Sequence, residues 1–162
     1  MEIKSERFGS LEVDDGDAIS FPDGLVGFAE EKSFVLLRHR EGSPIGWLQS
    51  VSSAAVAFPV VSLDALHLEH DYPLPHDDAA PYATMAVLSA APGKPATVNL
   101  LAPIVVNVTT RVGAQVFIES TKFSTIDRFA LRQAAEPLPS SAEQPPANQP
   151  SPSPYPQASP GP

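Results

Sequence analysis

Apolar residues along this chain fall in short runs separated by breaks rich in glycine, proline and acidic residues. The runs are Phe34-Val35-Leu36-Leu37, Ile45-Gly46-Trp47-Leu48, Val56-Ala57-Phe58-Pro59-Val60-Val61, Met85-Ala86-Val87-Leu88, Val98-Asn99-Leu100-Leu101, Ile104-Val105-Val106 and Val116-Phe117-Ile118. Their length and their enrichment in β-branched and aromatic side chains are those of strands, not helices. Breaks such as Asp14-Asp15-Gly16, Glu41-Gly42-Ser43-Pro44 and Ala91-Pro92-Gly93-Lys94-Pro95 stand at hairpin-like spacing. The pattern predicts an all-β fold: a single antiparallel β-barrel-like domain, one sheet closing on itself. Pro59 has no amide proton to give a ladder, so its strand is expected at an edge or bulged there. Two short helices are the expected exceptions. Residues 28–32 have room for one turn, and residues 124–132 carry a cap candidate, an early acid and late bases in the order the helix dipole favours.

Composition divides the chain in two. Ten of the 19 prolines stand in the last 29 residues, which lack apolar periodicity. Residues 134–162 are therefore expected to be a disordered proline-rich tail, and residues 1–133 one domain. The 162 residues carry 19 acids against 10 bases and no cysteine. Without cysteine there is no disulfide, thiolate zinc site or cysteine nucleophile, and a reducing compartment fits. The N-terminal segment lacks the apolar stretch of a signal peptide, and no run approaches the roughly 20 residues of a membrane span. The net charge of −9 disfavours nucleic-acid backbone and anionic membrane. It favours a basic partner, because opposite charge accelerates encounter. Removing the tail leaves 17 acids and 10 bases, so the acidity belongs to the domain.

Catalytic chemistry finds little support. Three of the four histidines stand with carboxylates in His67-Leu68-Glu69-His70-Asp71 and His76-Asp77-Asp78. The spacing matches no common zinc motif, and Pro73 and Pro75 interrupt it, so a solvated polar loop is expected there and no metal or other cofactor. A nucleophile elbow, a phosphate loop and a dinucleotide-binding glycine turn are all absent.

Three segments are more specific in composition than strands and turns require. In Phe21-Pro22-Asp23-Gly24-Leu25-Val26-Gly27-Phe28, proline fixes one φ while Gly24 and Gly27 permit positive φ, a tight fold around which Phe21, Leu25 and Phe28 present apolar side chains. In Trp47-Leu48-Gln49-Ser50-Val51, alternation places Trp47 and Gln49 on one face and Leu48 on the other. In the stretch from Val98 through Pro103 to Asn107, and in the following Gly113-Ala114-Gln115-Val116, the amides Asn99, Asn107 and Gln115 interrupt apolar strands; buried amides are paired internally or by a partner.

These segments, in this order, resemble the flagellar assembly factor FliW family. The resemblance also draws on Phe8-Gly9, Ala57-Phe58, Asp71-Tyr72 and Thr97, and covers about residues 3–123. Departures are Ser62-Leu63, where the family often has Asp-Pro, and Phe123, where it usually has Tyr; the tail has no counterpart. The resemblance implies a cytoplasmic, non-enzymatic regulator that exchanges protein partners. Family members bind CsrA, an RNA-binding translational repressor, and flagellin. Free FliW sequesters CsrA, and accumulated flagellin takes FliW away so that repression returns. Carried onto this chain, the partner-binding candidates are Phe21, Gly24, Leu25, Gly27, Phe28, Glu30, Glu31, Trp47, Gln49, Asn99, Pro103 and Asn107. Asp14, Asp15, Asp17 and Asp23 join Glu30 and Glu31 as acidic candidates for CsrA. The rival readings are a flagellin chaperone that never touches CsrA, and a metal-dependent enzyme using the cluster at residues 67–78.

Overall fold

The computed structural model describes residues 1–66, 81–94 and 96–118. The histidine–carboxylate cluster at 67–78, the helix expected at 124–132, Phe123 and the boundary at residue 133 lie outside the described residues. The described residues form ten strands: β1 (Glu2–Ser5), β2 (Gly9–Glu12), β3 (Ala18–Ser20), β4 (Ser33–Arg38), β5 (Ile45–Ser50), β6 (Ala57–Ser62), β7 (Tyr82–Ser89), β8 (Thr97–Val98), β9 (Ile104–Asn107) and β10 (Val112–Gln115). Strands β1 and β2 form a separate hairpin. The others run in the order β6-β5-β4-β3-β10-β9-β7-β8, and pairing of β6 with β7 closes seven of them into a barrel.

A ring of seven strands cannot alternate direction all the way round. The one parallel junction falls between β3 and β10, where Val112 stands opposite Ser20 and the Ser20 amide donates to Arg111 O at 2.8 Å. Every other pairing is antiparallel. The helices differ from expectation. Residues 28–32 form a turn, with Glu31 N donating to Phe28 O at 3.1 Å and no helix following. Single 3-10 turns occur instead at Asp15–Asp17 and Asp64–Leu66.

Strand alternation sorts the core into two layers. One set fills the barrel: Ile19, Phe21, Phe34, Leu48, Val60, Met85, Ile104 and Val106 are buried together, with Leu25 from the loop after β3. The other set, Ile45, Val61, Leu63, Ala86, Leu88, Val98 and Leu100, packs on the outer face of β5, β6 and β7. Fully burying side chains of this size contributes about 1.5–3 kcal/mol each before conformational entropy is subtracted.

Pro59 shows how the sheet tolerates a missing donor. Strand β6 pairs with β5 and with β7, so it is not an edge strand, and its register with β5 runs unbroken through Trp47 opposite Pro59, so it is not bulged there. Ser62 N donates toward β5 at Pro44 O and Leu63 N toward β7 at Thr84 O, so alternation turns Val61 and Pro59 toward β7. The β6–β7 register ends at Val60 opposite Val87. The absent amide of Pro59 therefore faces the place where that ladder has stopped.

Candidate functional site

Between β3 and β4 the chain folds into successive turns. Gly24 N donates to Phe21 O at 2.9 Å, around Pro22 and Asp23. Gly24 then takes φ +70°, where a Cβ would stand 2.6 Å from Phe28 O and 2.7 Å from the Ala29 Cα. Only glycine meets both conditions without backbone movement. Leu25 and Phe28 form an antiparallel bridge across Val26 and Gly27, with Phe28 N donating to Leu25 O at 2.7 Å and Gly27 at φ +80°. Phe21 N to Lys32 O at 2.8 Å closes the base, and Lys32 Nζ donates to Pro22 O at 2.9 Å.

This folding divides the side chains of the loop. Phe21 is fully buried, edge-on to Phe34 at 5.4 Å, and Leu25 is buried beside it. Val26 is 57% and Phe28 38% exposed at the tip. Phe28 rests edge-on against Phe58, with ring centroids 4.9 Å apart, so one side of its ring is held while the rest meets solvent.

Two tethers fix the loop to the barrel. Gln115 Oε1 accepts from Val26 N at 2.9 Å while Gln115 Nε2 donates to Ala102 O at 3.0 Å, linking the tip to the segment before β9. The Glu31 carboxylate accepts from the hydroxyls of Ser50 and Ser52, and Ser50 Oγ also accepts from Ser52 N at 3.1 Å and Ser53 N at 3.0 Å. The hydroxyl donors of Ser50 and then Ser52 hold the Glu31 carboxyl below its ordinary range, outweighing a slight opposing effect of burial.

The remaining candidates are buried or hydrogen-bonded within the fold. Trp47 and Gln49 do lie on one face of β5, with Leu48 in the barrel, and both are buried. Gln49 Nε2 faces the carbonyls of Ser50, Ser53 and Val56. Asn99 Oδ1 accepts from Leu101 N, and Asn107 Oδ1 accepts from Thr109 N and Thr110 N at 2.9 Å, shaping the turn into β10. Pro103 is buried, and its carbonyl accepts from Val116 N. Of the twelve candidates, Gly27, Phe28 and Glu30 are exposed, Glu31, Asn99 and Asn107 partly so, and Phe21, Gly24, Leu25, Trp47, Gln49 and Pro103 buried. Around the turn at Asp15–Asp17, all of Asp14, Asp15 and Asp17 are exposed, with Asp17 3.6 Å from the Arg111 guanidinium; Asp23 is exposed on the loop itself.

Two surface residues were missed by the candidate set. Val26 stood within the loop motif without being singled out, and Phe117, 67% exposed, was counted in an apolar strand run. Val116 N and Ile118 N continue the β10–β9 hydrogen bonding to Pro103 O and Leu101 O, so Phe117 extends from β10 just beyond the Gln115 that binds Val26. An apolar run does not reveal which of its members faces water. Among the described residues no group of three or more His, Asp and Glu is placed to hold a metal ion, and no helix is long and apolar enough to cross a membrane.

Residues 2–129 match the family model described as FliW protein. The chain belongs to the FliW family. The flagellar assembly factor FliW of Desulfitobacterium hafniense (strain DSM 10664 / DCB-2) is 34% identical over 152 residues, with 88% of this chain and all 100% of the relative covered. The corresponding protein of Geobacillus sp. (strain WCH70) is 35% identical over 147 residues, covering 84% of this chain and 100% of the relative. A crystal structure of the flagellar assembly factor FliW superposes with a TM-score of 0.67 at 32% identity, covering 79% of this chain and 96% of that one. The FliW barrel, with the 21–32 loop fastened to β5 and β10, is thus the setting in which the exposed apolar tip must be understood.

Proposed function

We propose that this protein is a cytoplasmic, non-enzymatic regulator that binds and antagonises CsrA and is titrated by flagellin, so that flagellin translation follows assembly. One observation carries the reading: an immobilised loop presents Val26 and Phe28 to solvent on a chain that is otherwise strongly acidic. The two halves of that surface suit two kinds of partner. An apolar tip held by hydrogen bonds suits the apolar face of a segment that folds as it binds, which is the character expected of flagellin termini. Acidic side chains, among them Asp23 and Glu30 on the same loop, suit a basic RNA-binding protein and raise the rate of encounter.

Val26→Asp tests the apolar half more cleanly than a change at Phe28, because Val26 is the more exposed and Phe28 also packs on Phe58. Titration of the full-length variant is expected to show flagellin binding weakened by at least about tenfold, roughly 1.4 kcal/mol, as for loss of a central apolar anchor. Unchanged flagellin affinity with an intact far-ultraviolet spectrum would remove the loop from the interface. Full binding to flagellin with none to CsrA, in low as well as physiological salt, would identify a flagellin chaperone instead.

A further inference from the structure

The outer face of β4 and β5 carries buried polar atoms that have no hydrogen-bond partner among the described residues: Trp47 Nε1, Gln49 Oε1 and His39 Nε2. The register places Trp47 opposite Leu37, Gln49 opposite Val35 and His39 two residues beyond Leu37, so all three share this face. Buried polar side chains are nearly always hydrogen-bonded, and the two exceptions that stand two residues apart on β5, Trp47 Nε1 and Gln49 Oε1, call for an occupant that supplies what is missing.

The chain's own N-terminal hairpin covers this face at Trp47. Phe8 meets the Trp47 ring edge-on at 5.8 Å, and the Arg7 guanidinium stands 4.0 Å from its centroid. Glu6 N donates to Ala54 O at 2.9 Å, within the same loop whose Ser53 and Val56 carbonyls hold Gln49 Nε2. Among the described residues the hairpin is a two-stranded sheet of its own and joins no barrel strand by a ladder. A lone two-stranded hairpin is marginally stable. The cover thus satisfies the apolar and cationic character of the Trp47 site and leaves its indole donor and amide acceptor unused.

We propose that the Trp47–Gln49 face is a peptide-binding site held in cis by Arg7 and Phe8. Its occupant in trans is an extended partner segment with an arginine next to an aromatic residue. Such a segment repeats both contacts to the indole. Its backbone also brings a carbonyl for Trp47 Nε1 and an amide for Gln49 Oε1, the two groups the hairpin leaves bare. Charge favours the arginine, since residues 13–162, which remain when the hairpin leaves the face, carry 16 acids against 8 bases. The site does not depend on whether the partner is CsrA, flagellin or a third protein.

Trp47 is the only tryptophan in the chain, so its fluorescence reports this site alone. The probe is a synthetic peptide of residues 2–12, added to full-length Phe8→Ala, with a peptide carrying Arg7→Glu and Phe8→Ala as control. The expected result is a saturable change in Trp47 emission with the native peptide, at least tenfold weaker with the control, and several-fold greater acrylamide quenching of the variant before peptide is added. Because Phe8→Ala also removes packing, the same titration is run on the unmodified chain, following the indole N–H resonance of Trp47. There a peptide-dependent shift at higher concentration is expected. No saturable response in either protein, or equal responses to the two peptides, would overturn the proposal.

Discussion

At the scale of single residues, the loop at 21–32 depends on glycine in two distinguishable ways. Gly24 needs both a left-handed φ and empty space, because a Cβ there would press on backbone atoms of Phe28 and Ala29. Gly27 needs only the φ, with nothing within 4 Å of its missing Cβ. Gly27→Ala is expected to cost about 1–2 kcal/mol, the usual penalty of the left-handed region for a residue with a Cβ. Gly24→Ala is expected to cost clearly more, and urea midpoints of the two variants measure the difference. Equal losses would mean that the packing around Gly24 yields freely. The sequence showed that these glycines permit positive φ, but only the fold shows which of them is also crowded. Gly113 was similarly opaque: it is buried under Phe21, whose ring atoms would lie 2.6 Å from an added Cβ.

At the scale of elements, legibility followed how much of each strand's core its own side chains supply. Strands β4 to β7 are flanked on both sides and carry apolar runs, so the pattern exposed them. Strand β10 reads Val-Gly-Ala-Gln, with no run, because Phe21 from the loop after β3 fills the space over Gly113. The sequence therefore pointed to residues 116–118, just past the strand. Strands β1, β2 and β3 are three or four residues long, too short for any periodicity to stand out. The alternation of Trp47, Leu48 and Gln49 was legible, whereas the hairpin that buries Trp47 was not, since it comes from forty residues away.

Coupling between elements is testable through Glu31, which joins the loop to the turn after β5. Its carboxyl titrates below its ordinary value of 4.5, so the charged form favours the folded state. That contribution is complete above the ordinary value and disappears as pH falls through the lowered one. Glu31→Gln is accordingly expected to unfold at lower urea than the parent at pH 7, with the gap between them closing below about pH 4.5. Because Glu31 is solvent-accessible, the gap should be small, and it should also persist in high salt if hydroxyl hydrogen bonds rather than distant charges create it. A gap that widens with acid would contradict the assignment.

At the scale of the whole molecule, a closed barrel gives rigid support to a surface that is apolar at one loop and acidic around it. The odd strand number forces the parallel junction at β3 and β10, and the 21–32 loop leaves the barrel immediately after it. A regulator that answers to two proteins requires a coupling free energy between their sites, not a shared footprint. Exchange between the two proposed partners therefore shows itself as competition. The deciding measurement is calorimetric titration of the full chain with CsrA and with flagellin, each from the same organism, each repeated with the other partner at saturation. The proposed partner exchange predicts that both bind alone and that each weakens the other by the same factor, since linkage is reciprocal. Binding of both partners together with unchanged affinities, or of neither at any salt concentration, would contradict it.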